Sequence, residues 1–295
     1  MTKAHQDPTS QLDLRPGQSI ELLKALNILT REGKINQDSR RKLKQVNHLC
    51  QFLEKPLYAM LQAREAAGDT SPLTLADHGA GKSYLGFMIH DWFFKPQQLV
   101  HDRSVGQVIG IETRAELVAA SQQIAKQLGF EQGMQFINDS VSQATADQRL
   151  PDSVDMVTAL HACDTATDDA IAFGLAKHAQ YMALVPCCQA EVAACLRQDK
   201  ALQLARTPLA ELWRHPLHTR EMGSQITNVM RCLYLESHGY QVTVTELVGW
   251  EHSMKNELII ASYKDLPRER PARRLQEVLS TLGLEQMNAR FYSQT

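Results

Sequence analysis

The feature that most constrains this chain is an alternation of short apolar runs with helical segments, starting near residue 73. Helical periodicity fills several of the intervals, as in residues 84–94, residues 115–128 before Gly129, and residues 168–177. This alternation predicts an α/β protein with an open parallel sheet and helices on both faces. The apolar runs occupy residues 73–76, 108–111, 135–137, 154–160 and 181–185.

The end of this region follows a different rule. A helical segment at residues 220–237 precedes two strand-like segments, residues 242–248 and 257–262. The interval between these two strands is too short for a crossover helix, so they must pair as an antiparallel hairpin. The sequence therefore predicts a parallel sheet that ends in an antiparallel hairpin.

A helical N-terminal region precedes the sheet. Apolar residues recur at helical spacing from Ile20 to Ala67, and Gly68 to Pro72 form a clear break. We predict a tail and helical region over residues 1–68, a main domain over 69–264, and a basic helical extension over 265–295. With 43% hydrophobic and 22% charged residues in 295, the chain can form a core and is not disordered.

Composition excludes several classes of protein. A net charge of −2 is incompatible with a generally basic nucleic-acid binder, although a local patch remains possible. No apolar run approaches the roughly 18 residues of a membrane span. The six cysteines form no C-x-x-C pair, and the N-terminus carries no apolar signal segment. We therefore predict a cytoplasmic protein with reduced thiols and no metal site, and expect neither a membrane nor DNA as partner.

The first strand runs directly into a glycine-containing turn, Asp77-His-Gly-Ala-Gly-Lys-Ser83. One interpretation is a nucleotide-binding phosphate loop over Ala76–Ser83, but its first glycine is replaced by Ala76 and Asp77 would repel phosphates. The other interpretation is a cationic adenosine cofactor, S-adenosylmethionine, whose ammonium group a carboxylate such as Asp77 can hold.

Two further strand ends carry polar side chains that suit such a cofactor. Glu112 ends the second strand, where a carboxylate can bond both ribose hydroxyls, and Asn138-Asp139 ends the third, where it can accept a bond from the adenine amine. Open α/β sheets bind ligands at the carboxyl ends of their strands. The alternative is that Glu112 and Asp139 only cap helices.

These residues and the terminal hairpin resemble the class I S-adenosylmethionine-dependent methyltransferases over roughly residues 70–264. The resemblance implies a Rossmann-like seven-stranded sheet, S-adenosylmethionine as cofactor and methyl transfer as the reaction. Ser83 departs from the family, since many members have a third glycine there. The resemblance implies a cofactor site made of Asp77, His78, Gly79, Gly81, Glu112, Asn138, Asp139 and Leu160.

The fourth and fifth strand ends resemble one branch of this family. They read His161-Ala-Cys-Asp164 and Pro186-Cys-Cys-Gln189. That branch includes the eukaryotic tRNA 2′-O-methyltransferases, which tend to carry histidine where this chain has Gln189. The Asn/Asp-Pro-Pro-aromatic motif of enzymes that methylate amino groups is absent from the fourth strand end.

Three residues of these segments are candidates for catalysis. His161 can act as a general base because the ordinary pKa of histidine lies near 7, or it can simply pack beside the cofactor. Asp164 can orient His161 or cap the next helix, and Cys187 can shape the acceptor pocket or act as a nucleophile. A metal site formed by these histidine and cysteine side chains is a further alternative, disfavoured by the adjacent cysteines.

Basic residues are concentrated near both ends, in residues 31–44 and 264–274. This local asymmetry suits the phosphates of structured RNA, whereas solvated helix faces are the alternative interpretation. We therefore predict an RNA methyltransferase acting on tRNA or rRNA. The alternatives are methylation of a protein or small molecule, the phosphate-loop module, and a fold that binds without catalysis.

Overall fold

The computed structural model describes the main chain in six stretches. Within them, the side chains of residues 209, 210 and 213 are not described. The described stretches are residues 17–140, 149–160, 165–186, 190–197, 208–247 and 257–291.

The chain forms two compact units. The first comprises residues 1–150 and 247–254, and the second comprises residues 151–246 and 255–295. The boundaries after residues 68 and 264 that the sequence suggested stay a prediction.

The first unit begins with helices and continues with three strands. Helix α1 (Ile20–Ala25) begins at Ser19, whose side chain accepts from the Leu22 amide, and α2 (Gln37–Ala66) begins at Asn36 with the equivalent bond to Ser39. These caps and the apolar stripes explain why the predicted helical N-terminal region forms. The strands are β1 (Leu73–His78), β2 (Gly106–Glu112) and β3 (Met134–Asn138).

Helices connect these strands. Helix α3 (Tyr84–Ile89) passes through a π-helical turn (His90–Phe94) into α4 (Lys95–His101), and α5 (Ala115–Leu128) connects β2 to β3. The helix predicted for residues 84–94 therefore continues to His101. Pro96 lies where the π-helical turn passes into α4.

The second unit contains the remaining strands. They are β4 (Met156–Leu160), β5 (Tyr181–Val185), β6 (Tyr240–Glu246) and β7 (Glu257–Tyr263). Its α-helices are α6 (Ala166–Ala176), α7 (Glu191–Arg197), α8 (Pro216–Glu236), α9 (Glu269–Thr281) and α10 (Asn288–Phe291). Short 3₁₀ turns lie at Pro208–Trp213 and Glu285–Met287.

The strands form a seven-stranded sheet in the order β3-β2-β1-β4-β5-β7-β6. Strand β7 is antiparallel to both β5 and β6, which confirms the predicted terminal hairpin. Every residue of β1 and β5 is buried, as expected for strands covered on both faces, whereas most residues of the edge strand β6 are at least partly exposed. This topology confirms the predicted Rossmann-like α/β fold.

Candidate functional site

The carboxyl ends of β1, β2 and β3 meet at one edge of the first unit. The three strands are parallel, with Asp77 beside Gly110 and Glu112 beside Asn138. Parallel register brings their last residues to the same end of the sheet, where ligands bind in open α/β folds. The structure therefore places Asp77, Glu112 and Asn138 at one edge, as the sequence predicted.

The turn after β1 requires an unusual backbone. Gly79 and Gly81 have φ angles of +61° and +58°, a region that residues with a Cβ atom rarely adopt. Among the described residues, and apart from the chain neighbours of Gly79, no atom lies within 4 Å of the position that a Cβ on Gly79 would occupy. The Ala80 amide donates to the Ile111 carbonyl at 3.2 Å and ties the turn to β2.

The Glu112 carboxylate accepts several hydrogen bonds at this edge. Its residue is only 6% exposed, and its Oε2 accepts from the Gly81 amide at 2.8 Å. Burial acts to raise the pKa of Glu112, but hydrogen bonds from Arg114 and Gly81 outweigh it and leave the pKa below its usual value. Glu112 is therefore an ionised acceptor fixed against the glycine turn.

The two last residues of β1 differ in their chemistry. Asp77 and His78 are both buried, and successive strand residues point to opposite faces of a sheet. Burial lowers the pKa of His78 to about 3, so its imidazole is neutral at physiological pH. Of the two side chains, only Asp77 can supply a negative charge to a cationic ligand.

The end of β3 is held onto the end of β2 by side-chain bonds. The Asn138 amide nitrogen donates to the Glu112 carbonyl at 3.0 Å and to the Thr113 carbonyl at 2.8 Å. The Asp139 amide donates to the Glu112 carbonyl at 3.2 Å, and its carboxylate lies 3.8 Å from Arg149. The Asn138 side-chain oxygen and the Asp139 carboxylate are acceptors positioned by these contacts.

The family of the chain follows from a sequence comparison. A family model described as a methyltransferase domain matches residues 41–195, which is more than half of the chain. The chain belongs to this methyltransferase family. The match begins within α2 and covers the glycine turn, Glu112, Asn138 and the motif segments after β4 and β5. It favours methyl transfer over the phosphate-loop interpretation of Ala76–Ser83.

Other comparisons find only distant similarity. No curated protein matches the methyltransferase. One solved structure is the precorrin-6y C5,15-methyltransferase from Geobacter metallireducens, which is 15% identical to this chain. The match covers 66% of this chain and 81% of that protein's chain, with a TM-score of 0.38. Magnesium protoporphyrin IX methyltransferase from Synechocystis is 14% identical, with coverages of 82% and 94% and a TM-score of 0.42. The Podospora anserina methyltransferase PaMTH1 is 9% identical, with coverages of 87% and 92% and a TM-score of 0.45.

The family assignment confirms S-adenosylmethionine as the cofactor of the methyltransferase, and the residues present fit it. Asp77 supplies a carboxylate for the ammonium group, and Glu112 supplies an ionised acceptor for the ribose hydroxyls. Within the described ranges, only the adjoining chain lies near the place of the missing Cβ at Gly79, which allows close approach of a ligand. Asn138 and Asp139 offer acceptors for the adenine amine. The individual contacts stay a prediction.

The predicted catalytic residues are not among the residues that the structure describes. Leu160 is the partly exposed last residue of β4, opposite Val185 of β5. His161, Asp164 and Cys187 lie outside the described residues, as do Cys163, Cys188 and Gln189. Their roles therefore stay predictions. In the described part of the methyltransferase, no group of three or more His, Cys, Asp or Glu side chains is arranged to hold a metal ion.

Sequence reasoning missed Arg114. Its Nε donates to Glu112 Oε1 at 3.0 Å and its Nη2 donates to Glu112 Oε2 at 3.2 Å, a bidentate pair. A signal was present, because Arg114 occupies the N-cap of α5. A cation is unfavourable at a helix N-terminus, so its presence there indicates a specific carboxylate partner.

Proposed function

We propose that this methyltransferase modifies structured RNA. The observation that carries the proposal is the basic stretch at residues 31–44, which has six basic and only two acidic side chains in a chain of net charge −2. All six basic residues are exposed. They are Arg31, Lys34, Arg40, Arg41, Lys42 and Lys44.

The first turns of α2 concentrate part of this charge. Arg41 and Lys44 lie on the side of α2 away from the buried stripe that includes Leu43 and Val46, and Arg40 lies on its flank. Arg41 has an acidic neighbour, Asp38, at 3.7 Å, in a surface pair that water screens. A row of cations along one helix suits regularly spaced phosphates better than it suits a small apolar acceptor.

A second basic stretch supports the same proposal from the other unit. Residues 264–274 carry five exposed basic side chains around the start of α9. Arg268 is engaged with Asp265 at 3.0 Å. The five are Lys264, Arg268, Arg270, Arg273 and Arg274.

We propose a hydroxyl group, such as a ribose 2′-hydroxyl, as the methyl acceptor. The support is the resemblance of the His161–Asp164 and Pro186–Gln189 segments to the tRNA 2′-O-methyltransferase branch, together with the missing motif of amino-methylating enzymes. Gln189 replaces the histidine of that branch. The proposal therefore does not assign the RNA or the nucleotide of that branch to this chain.

The proposed mechanism assigns three tasks to the chain. When bound, S-adenosylmethionine supplies a methyl carbon activated by positively charged sulfur. Asp77 and Glu112 fix the cofactor from the sheet edge, and the basic stretches bind the RNA. His161 is the proposed base that takes the proton of the acceptor hydroxyl as its oxygen bonds to the methyl carbon, while the carbon–sulfur bond breaks and S-adenosylhomocysteine leaves. Alignment of the reacting atoms is the main source of acceleration in such a displacement.

The location of this reaction is also a proposal. We propose the cytoplasm, where thiols stay reduced. Within the described ranges, Cys50, Cys195 and Cys232 are free thiols. In the same ranges, no helix is long and apolar enough to cross a membrane.

The first experiment identifies the substrate. Total RNA from a strain lacking the gene is digested and compared with parental RNA by mass spectrometry, and the missing methylated nucleoside names the modified atom. The purified protein with S-adenosylmethionine must then restore that nucleoside in vitro. If no RNA nucleoside changes and the protein methylates no RNA from the deletion strain, the RNA proposal is wrong and a protein or small-molecule acceptor takes its place.

The second experiment tests the basic stretch of α2. Neutralising Arg40, Arg41 and Lys44 to glutamine should weaken RNA binding and reduce the slope of log affinity against log salt by about 2. The matched control neutralises three exposed cations elsewhere, Lys55, Lys126 and Arg197. Equal effects of the two triple variants would remove the basic stretch as an RNA-binding surface.

A further inference from the structure

A buried carboxylate stands at the start of the helix that follows β4. Asp168 lies in the first turn of α6, and its side chain is only 3% exposed. Arg231 of α8, with 1% of its side chain exposed, donates from Nε to Asp168 Oδ1. Arg290 of α10 donates from Nη1 to Asp168 Oδ2 at 3.4 Å. Both oxygens of a buried charge are therefore satisfied by cations, as burial of an ion requires.

Arg290 also reaches a second helix. The same Nη1 donates to Glu191 Oε2 at 2.6 Å, and Glu191 is the first residue of α7. Burial acts to lower the pKa of Arg290, but the Glu191 hydrogen bond and the charges of Asp168 and Glu191 raise it overall. One guanidinium nitrogen thus joins the first turns of α6 and α7.

The network extends from Arg231 to the terminal hairpin. Arg231 Nη1 donates to Asn228 Oδ1 at 3.0 Å, and Asn228 Nδ2 donates to Glu257 Oε2 at 2.8 Å. Glu257 is the first residue of β7. The start of α6 is therefore connected to the sheet through α8. The start of α7 is connected to the start of α6 through Arg290.

Stability alone is a weak explanation for this arrangement. Replacing a buried ion group with apolar side chains of similar volume is often neutral or stabilising, because desolvation offsets the Coulomb attraction. What the bonds define directly is geometry, since each joins a particular donor to a particular acceptor on another element. The geometry concerns two helices that begin two residues after Asp164 and Gln189, the ends of the motif segments.

We propose that Arg290 is a positioning residue for methyl transfer, which it serves by holding the first turns of α6 and α7 in one mutual arrangement. The proposal rests on the proposed function, because it assumes that the segments preceding these two helices contribute to the acceptor side. It assigns a role to the C-terminal segment, whose Arg290 is 122 residues from Asp168 and 99 residues from Glu191.

The first test needs no substrate. Hydrogen exchange of the full-length protein, followed by mass spectrometry, compares the wild type with Arg290→Gln and Glu191→Gln. Arg290→Gln should accelerate exchange about tenfold in peptides covering residues 165–172 and 190–197, whereas Glu191→Gln should do so mainly in the second. The control is Arg214→Gln, which breaks an exposed ion pair with Glu211 outside both basic stretches. Unchanged exchange in both peptides of Arg290→Gln would overturn the proposal.

The second test separates positioning from folding. With RNA from the deletion strain as acceptor, Arg290→Gln should lower kcat about tenfold or more and leave the KM for S-adenosylmethionine within about twofold. Arg290→Lys keeps the charge, should restore part of kcat, and replaces Arg290→Gln if that variant does not fold. A kcat equal to that of Arg214→Gln would overturn the proposal. A wild type that methylates no RNA contradicts the proposed function instead, and the exchange experiment then decides whether Arg290 holds the first turns of α6 and α7 together.

Discussion

The Gly81 amide donates a hydrogen bond of 2.8 Å to the Glu112 carboxylate, and so joins two residues that are 31 positions apart in the chain. The bond fixes the glycine turn after β1 against the last residue of β2. The two features that suggested an adenosine cofactor in the sequence are therefore parts of one structure. The turn and the carboxylate support each other through this bond.

Glu112→Gln should weaken the binding of S-adenosylhomocysteine about tenfold or more, because an amide replaces an ionised acceptor in charge-assisted bonds. Isothermal titration calorimetry measures the affinity. Glu116→Gln is the matched control, since Glu116 is an exposed carboxylate in the first turn of α5. Equal affinities of the two variants would show that Glu112 does not contact the cofactor.

Asp77→Ala should abolish detectable binding of S-adenosylhomocysteine, because the buried carboxylate is the proposed partner of the cofactor ammonium group. Asp77→Asn preserves the shape and tests the charge alone. Asp102→Asn, at an exposed position after α4, is the control. If Asp77→Ala folds and binds with unaltered affinity, the cofactor site does not lie at the end of β1.

His78 should make the protein less stable in acid. Burial lowers its pKa from 6.5 to about 3 in the folded protein, so between these values the unfolded chain binds the proton and the folded protein does not. Stability is therefore lost as the pH falls below 6.5. The contribution should amount to about 2 kcal/mol between pH 7 and pH 5.

Urea denaturation of the wild type and of His78→Leu at pH 7 and pH 5 measures this contribution. The comparison concerns the difference between the two pH values, so the cost of the substitution itself cancels. His178→Leu, at an exposed position, should leave the pH dependence as in the wild type. An equal pH dependence of the wild type and His78→Leu would contradict the assignment.

Gly223→Ala should destabilise the protein by about 1–3 kcal/mol. A Cβ atom at Gly223 of α8 would lie 2.7 Å from the backbone nitrogen of Ala193 in α7, and backbone cannot move aside cheaply. Chemical denaturation measures the free energy of unfolding. Gln225→Ala, at an exposed position of the same helix, is the control and should change it little. A fully stable Gly223→Ala would show that α7 and α8 pack less closely than described.

Much of the fold could be predicted from local patterns. Helix α5 occupies residues 115–128 as predicted, because its apolar stripe is regular and Gly129 takes the left-handed conformation that ends it. The hairpin of β6 and β7 could be predicted because the interval between the two strands is too short for a crossover helix. The helix after the glycine turn was predicted to end too early, since its π-helical turn has no periodic signature in the sequence.

The candidate site was predictable to a different extent. Asp77, Glu112 and Asn138 could be predicted because each is the last or nearly the last residue of a strand, and parallel topology brings such residues together. Arg114 was missed because its contact with Glu112 depends on a side-chain conformation. The chemistry after β4 and β5 rests on the motif resemblance, since His161, Asp164 and Cys187 lie outside the described residues.

By itself, the sequence determined the alternation of strands and helices, the terminal hairpin and the residues at the strand ends. All of these follow from hydrophobic periodicity and from the lengths of the intervals between the apolar segments. Only the tertiary structure decided that Arg231 and Arg290 converge on Asp168, and that Arg290 also reaches Glu191. The physical reason is that such partners are tens to more than one hundred residues apart. Nothing in the local pattern around any one of them specifies which distant charge will satisfy it when it is buried.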